Sequence, residues 1–183
     1  MATLTIQLPP QRTQTEFNVR RWTELLADPD LARFEGRVET DRYGHVLMSP
    51  PPASHHGRLQ ARIAISLNRC MDDGEVLTEC PISTADGVRA ADVAWASADR
   101  IRELGDQACF RRAPEICVEV FSPGNTEAEL REKMALYFDA GAHEVWLCSE
   151  SGVMRFFCAG EPEAIPASRL CPEFPPRVEL RPA

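Results

Sequence analysis

Residues 114–123 read Pro114-Glu115-Ile116-Cys117-Val118-Glu119-Val120-Phe121-Ser122-Pro123. Within this stretch Ile116, Val118 and Val120 alternate with Cys117, Glu119 and Phe121. Side chains alternate across a strand, so a segment apolar on both sides is covered on both sides, as the central strands of layered α/β sheets are. Glu119 breaks that pattern. A carboxylate left unpaired in such a place costs several kcal/mol or takes up a proton. Glu119 therefore needs a cation.

Moving downstream, Ser122-Pro123-Gly124-Asn125 stops the strand, and Thr126 with Glu129 three residues on has the spacing of a helix-capping box. Leu130, Met134, Tyr137 and Phe138 give the helix its apolar face, and Gly141 suits its C-terminal cap. Strands follow at about Glu144–Cys148 and Met154–Cys158. A strand, a crossover helix and another strand imply a mixed α/β layer with at least one parallel pairing. Upstream, Ala90 to Ala96 reads as a second central strand, with Val93 and Trp95 on one side and Asp92 and Ala94 on the other. Earlier still come a helix from about Val19 to Ala27, ended by Asp28-Pro29, and a hairpin of Arg37–Glu39 with His45–Met48. His56, Leu59, Ile63 and Leu67 then share one helical face.

If the two central strands pair with Asp92 and Glu119 on one face, both carboxylates reach a shared ion. Carboxylates are hard oxygen ligands, suited to magnesium, calcium or manganese. Lys133 lies three residues after Leu130 and four before Tyr137, at the border of the buried helix face, from which its ammonium can point back toward Glu119. Paired carboxylates holding magnesium beside a lysine are the apparatus for phosphodiester hydrolysis.

Bulk properties narrow the field. The 183 residues, 44% hydrophobic and 26% charged, suit a single globular domain, 1–183, with residues 1–18 as an extension and 172–183 as a proline-rich tail. Among 20 basic residues Lys133 is the only lysine, and 28 acidic residues leave a net charge of -8. A wholly basic, histone-like coat is excluded. No stretch reaches the roughly 18 to 20 apolar residues of a membrane span, so no membrane partner is expected. The N-terminus has no basic segment leading into an apolar one, and the seven cysteines contain no closely spaced pair. Both features suggest a cytoplasmic, reduced protein without a structural zinc site.

The combination of motifs is similar to the Uma-two family of restriction-endonuclease-like proteins. The resemblance rests on Val88-Arg89-Ala90-Ala91-Asp92-Val93-Ala94, on residues 114–123, on Lys133-Met134-Ala135-Leu136-Tyr137, and on Gly141-Ala142-His143-Glu144-Val145-Trp146-Leu147. Glu39, residues 44–51 and His56 extend it upstream, so it spans roughly 20–180. It implies an α/β (α+β) fold of the restriction-endonuclease-like, PD-(D/E)xK type: a mixed sheet flanked by helices, with an N-terminal helix and hairpin. It implies Asp92 and Glu119 as metal ligands and Lys133 as the catalytic lysine, with Glu39 and His56 in support. The usual lysine position, two residues after the glutamate, holds Phe121, and Ala91 replaces the proline before the aspartate. The lysine then comes from the following helix.

Plainer roles stand beside these. Glu39 can serve as a hairpin charge, and His56 as a boundary histidine. His55 and His56 are neighbours and point apart on a helix. Arg58, Arg62 and Arg69 form either a phosphate-contacting stripe or a wet face, and Trp95 and Trp146 read as core. The leading expectation is a metal-dependent endonuclease using Mg2+ or Mn2+ on nucleic acid, DNA foremost, with a homodimer as a candidate assembly. The rival is a catalytically inactive nucleic-acid- or protein-binding module that keeps the nuclease fold.

Overall fold

The computed structural model describes residues 11–121 and 125–180. Helix α1 spans Gln11–Leu26 and is followed by a 3-10 turn at Leu31–Arg33. Strands β1 (Arg37–Thr40) and β2 (Val46–Ser49) form an antiparallel hairpin. Then come α2 (Ser54–Cys70), β3 (Glu75–Thr84), β4 (Gly87–Ala96), α3 (Ala98–Leu104), β5 (Ile116–Phe121), α4 (Glu127–Asp139), β6 (Glu144–Ser149) and β7 (Met154–Cys158).

The main sheet has five strands in the order β3-β4-β5-β6-β7, so β5 is central. The β5–β6 pair is parallel, bridged by α4, and the other pairs are antiparallel. The alternation in residues 116–121 therefore predicted its place correctly: five of the six residues of β5 are buried. Thr126 and Glu129 make the expected reciprocal cap of α4, and Gly141 follows that helix at φ +100°. The strand-stopping residues Ser122-Pro123-Gly124 lie outside the described part of the chain.

Two apolar layers enclose the sheet. On one face, Leu59, Ile63 and Leu67 of α2 pack over Val93, Trp95, Val118, Val120 and Trp146. On the other, Tyr137 and Ala140 from α4 and its C-terminal cap cover Ala94, Cys117 and Val145. Cys117, Cys148 and Trp146 are fully buried, as their apolar surroundings require.

Four elements depart from the sequence reading. The first helix begins at Gln11, not near Val19, because polar residues bury on it: Gln14 Nε2 donates to Arg42 O (2.9 Å) and Asn18 Nδ2 to Thr84 O (2.9 Å). Hydrophobic periodicity does not register such contacts. Strand β3 escaped notice because its burial follows no two-residue alternation. The short helix α3 was also unread, although Ser97 caps it by accepting the Arg100 N–H. Finally, residues 172–180 are packed against the core rather than forming a tail. Phe174 and Val178 are buried, and Phe174 lies 4.6 Å from Trp146 between ring centroids. No helix among the described residues is long and apolar enough to cross a membrane.

Candidate active site

The β4–β5 ladder pairs Trp95 with Ile116, Ala94 with Cys117 and Val93 with Val118, and there it ends. One step further along each strand come Asp92 and Glu119. The Val120 N–H donates to Asp92 Oδ2 at 2.6 Å, so a carboxylate takes the place of the next ladder acceptor. Asp92 is wholly buried, and Glu119 is 6% exposed.

Glu119 is held from α4. Its Oε2 lies 2.9 Å from Lys133 Nζ, and its Oε1 accepts the Tyr137 hydroxyl at 2.7 Å. Positions four apart share a helix face, which lets one turn of α4 deliver both donors. Burial pushes the Glu119 carboxyl up to about 7, against the opposing pull of Lys133, and the Asp92 charge adds to the rise. Burial would lower the Lys133 ammonium, but Glu119 and Glu39 overcome it and hold the group charged. Burial and Glu119 together keep the Tyr137 hydroxyl protonated, so it remains a donor.

Asp92 is held from the opposite side. Arg37 Nη2 donates to its Oδ1, and His56 Nε2 stands 3.2 Å from the same oxygen, off the line of a good hydrogen bond. Burial alone would raise the Asp92 carboxyl, but His56 and Arg37 hold it below the usual carboxylate range. Its closeness to Asp92 raises the His56 imidazole above its ordinary value. His55 turns away, with Nε2 2.8 Å from Glu150 O.

Glu39 braces the arrangement. Its Oε1 accepts the Ala90 N–H at 2.9 Å and lies 3.5 Å from Lys133 Nζ. Arg89 approaches Glu39 Oε2 at 3.7 Å. All five residues named from the sequence thus converge: Asp92, Glu119 and Lys133 directly, Glu39 through Lys133, and His56 through Asp92. Arg58 and Arg69 are exposed on α2 and Arg62 is half-buried.

Four further participants are not singled out by the sequence. The sequence reading places Tyr137 on an apolar face. Arg37 sits two residues before Glu39 in β1, and strand alternation alone would have aimed both to one side. Glu79 and Gln60 belong to a single fault in the sheet. Rungs of the β3–β4 ladder join Thr78 to Val93 and Cys80 to Ala91, but the rung between, Glu79 to Asp92, is missing. Glu79 stands at φ +50°, the one non-glycine residue among those described with positive φ. Such a conformation costs on the order of 1–2 kcal/mol and persists only where surroundings impose it. Gln60 fills the gap, donating to Asp92 O (2.8 Å) and Glu79 Oε1 (2.9 Å).

A cavity of about 210 Å³ opens over these groups, lined by Arg37, His56, Glu119 and Lys133 among others. Its charged lining matches no apolar ligand pocket.

The family model for Uma2, described as "Putative restriction endonuclease", matches residues 18–175. The chain belongs to the Uma2 family. A similar fold is seen in a solved structure, a "putative nuclease belonging to DUF820" from Anabaena variabilis ATCC 29413. The two share 18% sequence identity and superpose with a TM-score of 0.67, covering 86% of this chain and 94% of the other. At that identity the likeness concerns the fold. No curated protein matches the chain.

Within this Uma2 chain the donor chemistry fits a hard divalent cation. Asp92 and Glu119 offer carboxylate oxygens from adjacent strands, and Glu119 is an acid whose pKa is raised by burial and by the nearby Asp92 charge, against the pull of Lys133 and Arg37. Among the described residues no three acidic, histidine or cysteine side chains form a ready-made cage. At Asp92 the nearest positive charge is the guanidinium of Arg37.

Proposed function

We propose that this Uma2 protein is a metal-dependent endonuclease that hydrolyses phosphodiester bonds in nucleic acid, with DNA as the foremost substrate. The observation that carries the reading is the buried Glu119 meeting Lys133 at 2.9 Å on the wall of an open, polar cavity beside Asp92. Structural ion pairs are common, but this one offers a titratable acid near neutrality and a charged lysine to the same cleft.

Asp92 and Glu119 would hold magnesium or manganese. When bound, such an ion lowers the pKa of water and neutralises phosphoryl charge. The rest of the chemistry belongs to the chain. Lys133, kept charged by Glu119 and Glu39, orients the attacking water and stabilises the charge that develops on the phosphoryl oxygens. Tyr137 fixes the Glu119 carboxylate by its hydrogen bond, leaving Oε2 turned to Lys133 and the cavity. Glu39, tied to the Ala90 backbone, keeps Lys133 in register.

One observation favours the rival reading, an inactive binding module: Asp92 is closed off by Arg37 and His56 and does not line the cavity. Plasmid and oligonucleotide cleavage with Mg2+ or Mn2+ decides between them. The nuclease reading expects cleavage that EDTA abolishes and that Glu119→Ala and Lys133→Ala each remove. Cleavage surviving both substitutions sinks the assignment. No cleavage, with no metal-dependent rise in Tm, supports the binding module.

A further inference from the structure

Arg37 occupies an unusual position. Its Nε and Nη2 form a fork on Glu79, at 2.9 Å and 3.0 Å, while Nη2 also donates to Asp92 Oδ1. One guanidinium thus bridges two carboxylates that differ in setting. Asp92 is wholly buried, whereas the Glu79 side chain is 44% exposed. Arg37 lines the cavity and Asp92 does not. Arg37 and His56 both line the cavity and both approach Asp92 Oδ1, so a ligand in the cavity that takes this oxygen competes with them.

The partner on the other side is built for that displacement. Glu79 and Asp92 face each other across the missing rung of the β3–β4 ladder. The backbone of Glu79 turns to φ +50° there, and Gln60 anchors its Oε1. An arginine leaving Asp92 still has the Glu79 carboxylate as its partner and needs no new one.

We propose that Arg37 is a stand-in cation, occupying the divalent metal's position at Asp92 until the ion arrives, with Glu79 as the residue that retains it afterwards. The inference rests on the metal-dependent reading above. It goes further in assigning Arg37 and Glu79 opposite effects on metal affinity. A buried carboxylate without a cation is costly, so an empty site of this kind would be unstable, and Arg37 removes that cost in the ion-free protein.

Mn2+ binding, read by calorimetry and by the electron-spin signal of the free ion, tests this without relying on cleavage. Arg37→Met is expected to bind Mn2+ at least tenfold more tightly than the unaltered chain. Its ion-free form should melt lower and show a larger Mn2+-induced rise in Tm. Glu79→Gln should bind Mn2+ several-fold more weakly, since Arg37 then has only Asp92 to hold. Arg89→Met removes the same charge beside Glu39 without touching Asp92, and should change the affinity less than threefold. Equal tightening by Arg37→Met and Arg89→Met overturns the proposal and leaves the nuclease reading intact, because a general field then explains both. A crystal structure with Mn2+ on Asp92 Oδ1 and Arg37 still on the same oxygen overturns it too. No Mn2+ binding by any variant, alongside cleavage that ignores EDTA, removes the metal reading itself and the proposal with it.

Discussion

Lys133 Nζ stands 2.9 Å from Glu119 Oε2, although fourteen residues separate them and they lie on different elements. The position two after Glu119, where the usual motif carries its lysine, holds the half-buried Phe121. The ammonium reaches the same carboxylate from the first turns of α4 instead. The contact depends on the reverse of direction after β5 and on the capping box at Thr126, which sets where α4 begins.

Replacing Lys133 tests that geometry. Lys133→Ala should lower kcat about 10²- to 10³-fold, the usual effect of removing one preorganised donor at a transition state. Lys133→Arg should not restore it, because a planar fork cannot occupy the space of a compact ammonium. Far-UV circular dichroism should be unchanged in both. Wild-type rates from Lys133→Arg would show that only net charge is needed there.

The raised pKa of Glu119 makes stability depend on pH. Its folded value is about 7, against an ordinary 4.5. Below 4.5 both the folded and unfolded chains hold this proton, and the contribution is fully present. As pH rises toward about 7 the unfolded chain gives the proton up while the folded chain keeps it, so stability falls. The total is on the order of 3 kcal/mol. Glu119→Gln should lack this fall. Urea midpoints in EDTA between pH 5 and 8 provide the comparison, and parallel curves for the two chains would contradict the assignment.

Much of this site was legible because burial and charge conflict openly in the sequence. Glu119 within an apolar strand, Asp92 in another, and a lone lysine at the border of a helix face are anomalies that a chemical role resolves. Glu79 and Gln60 were not legible for a common reason. Their roles follow from one broken rung within the β3–β4 hairpin, and β3 carries no alternation that would reveal it as a strand. Likewise α1 extends to Gln11 through buried amide contacts, which hydropathy scores as surface. Periodicity reports apolar burial, and polar burial leaves no period.

Tyr137 holds Glu119 Oε1 with its hydroxyl, and both are buried. Tyr137→Phe keeps the ring's packing and removes only the donor, so a cost of about 1–3 kcal/mol is expected. The size should depend on pH. Near pH 5 Glu119 is protonated, and a neutral carboxyl loses less with the donor than an ionised one. At pH 8 the ionised carboxylate loses a donor outright. Thermal melts at the two pH values should therefore show the larger loss at pH 8, and a larger loss at pH 5 would mean the hydroxyl does not serve the charged form.

Glu39 separates a backbone brace from a charge. Its Oε1 accepts the Ala90 N–H at 2.9 Å, an interaction that an amide oxygen can reproduce, and it faces Lys133 at 3.5 Å, where only a carboxylate supplies charge. Glu39→Gln should fold with stability within about 1 kcal/mol of the parent, while Glu39→Ala strands a part-buried N–H and should cost about 1–3 kcal/mol. Lys133 keeps Glu119 as its nearer partner in both variants. Cleavage by Glu39→Gln should accordingly exceed that of Glu119→Gln by at least about tenfold, since a bracing residue is removed in one case and a proposed metal ligand in the other. Equal losses in the two would move Glu39 from the brace to the metal itself.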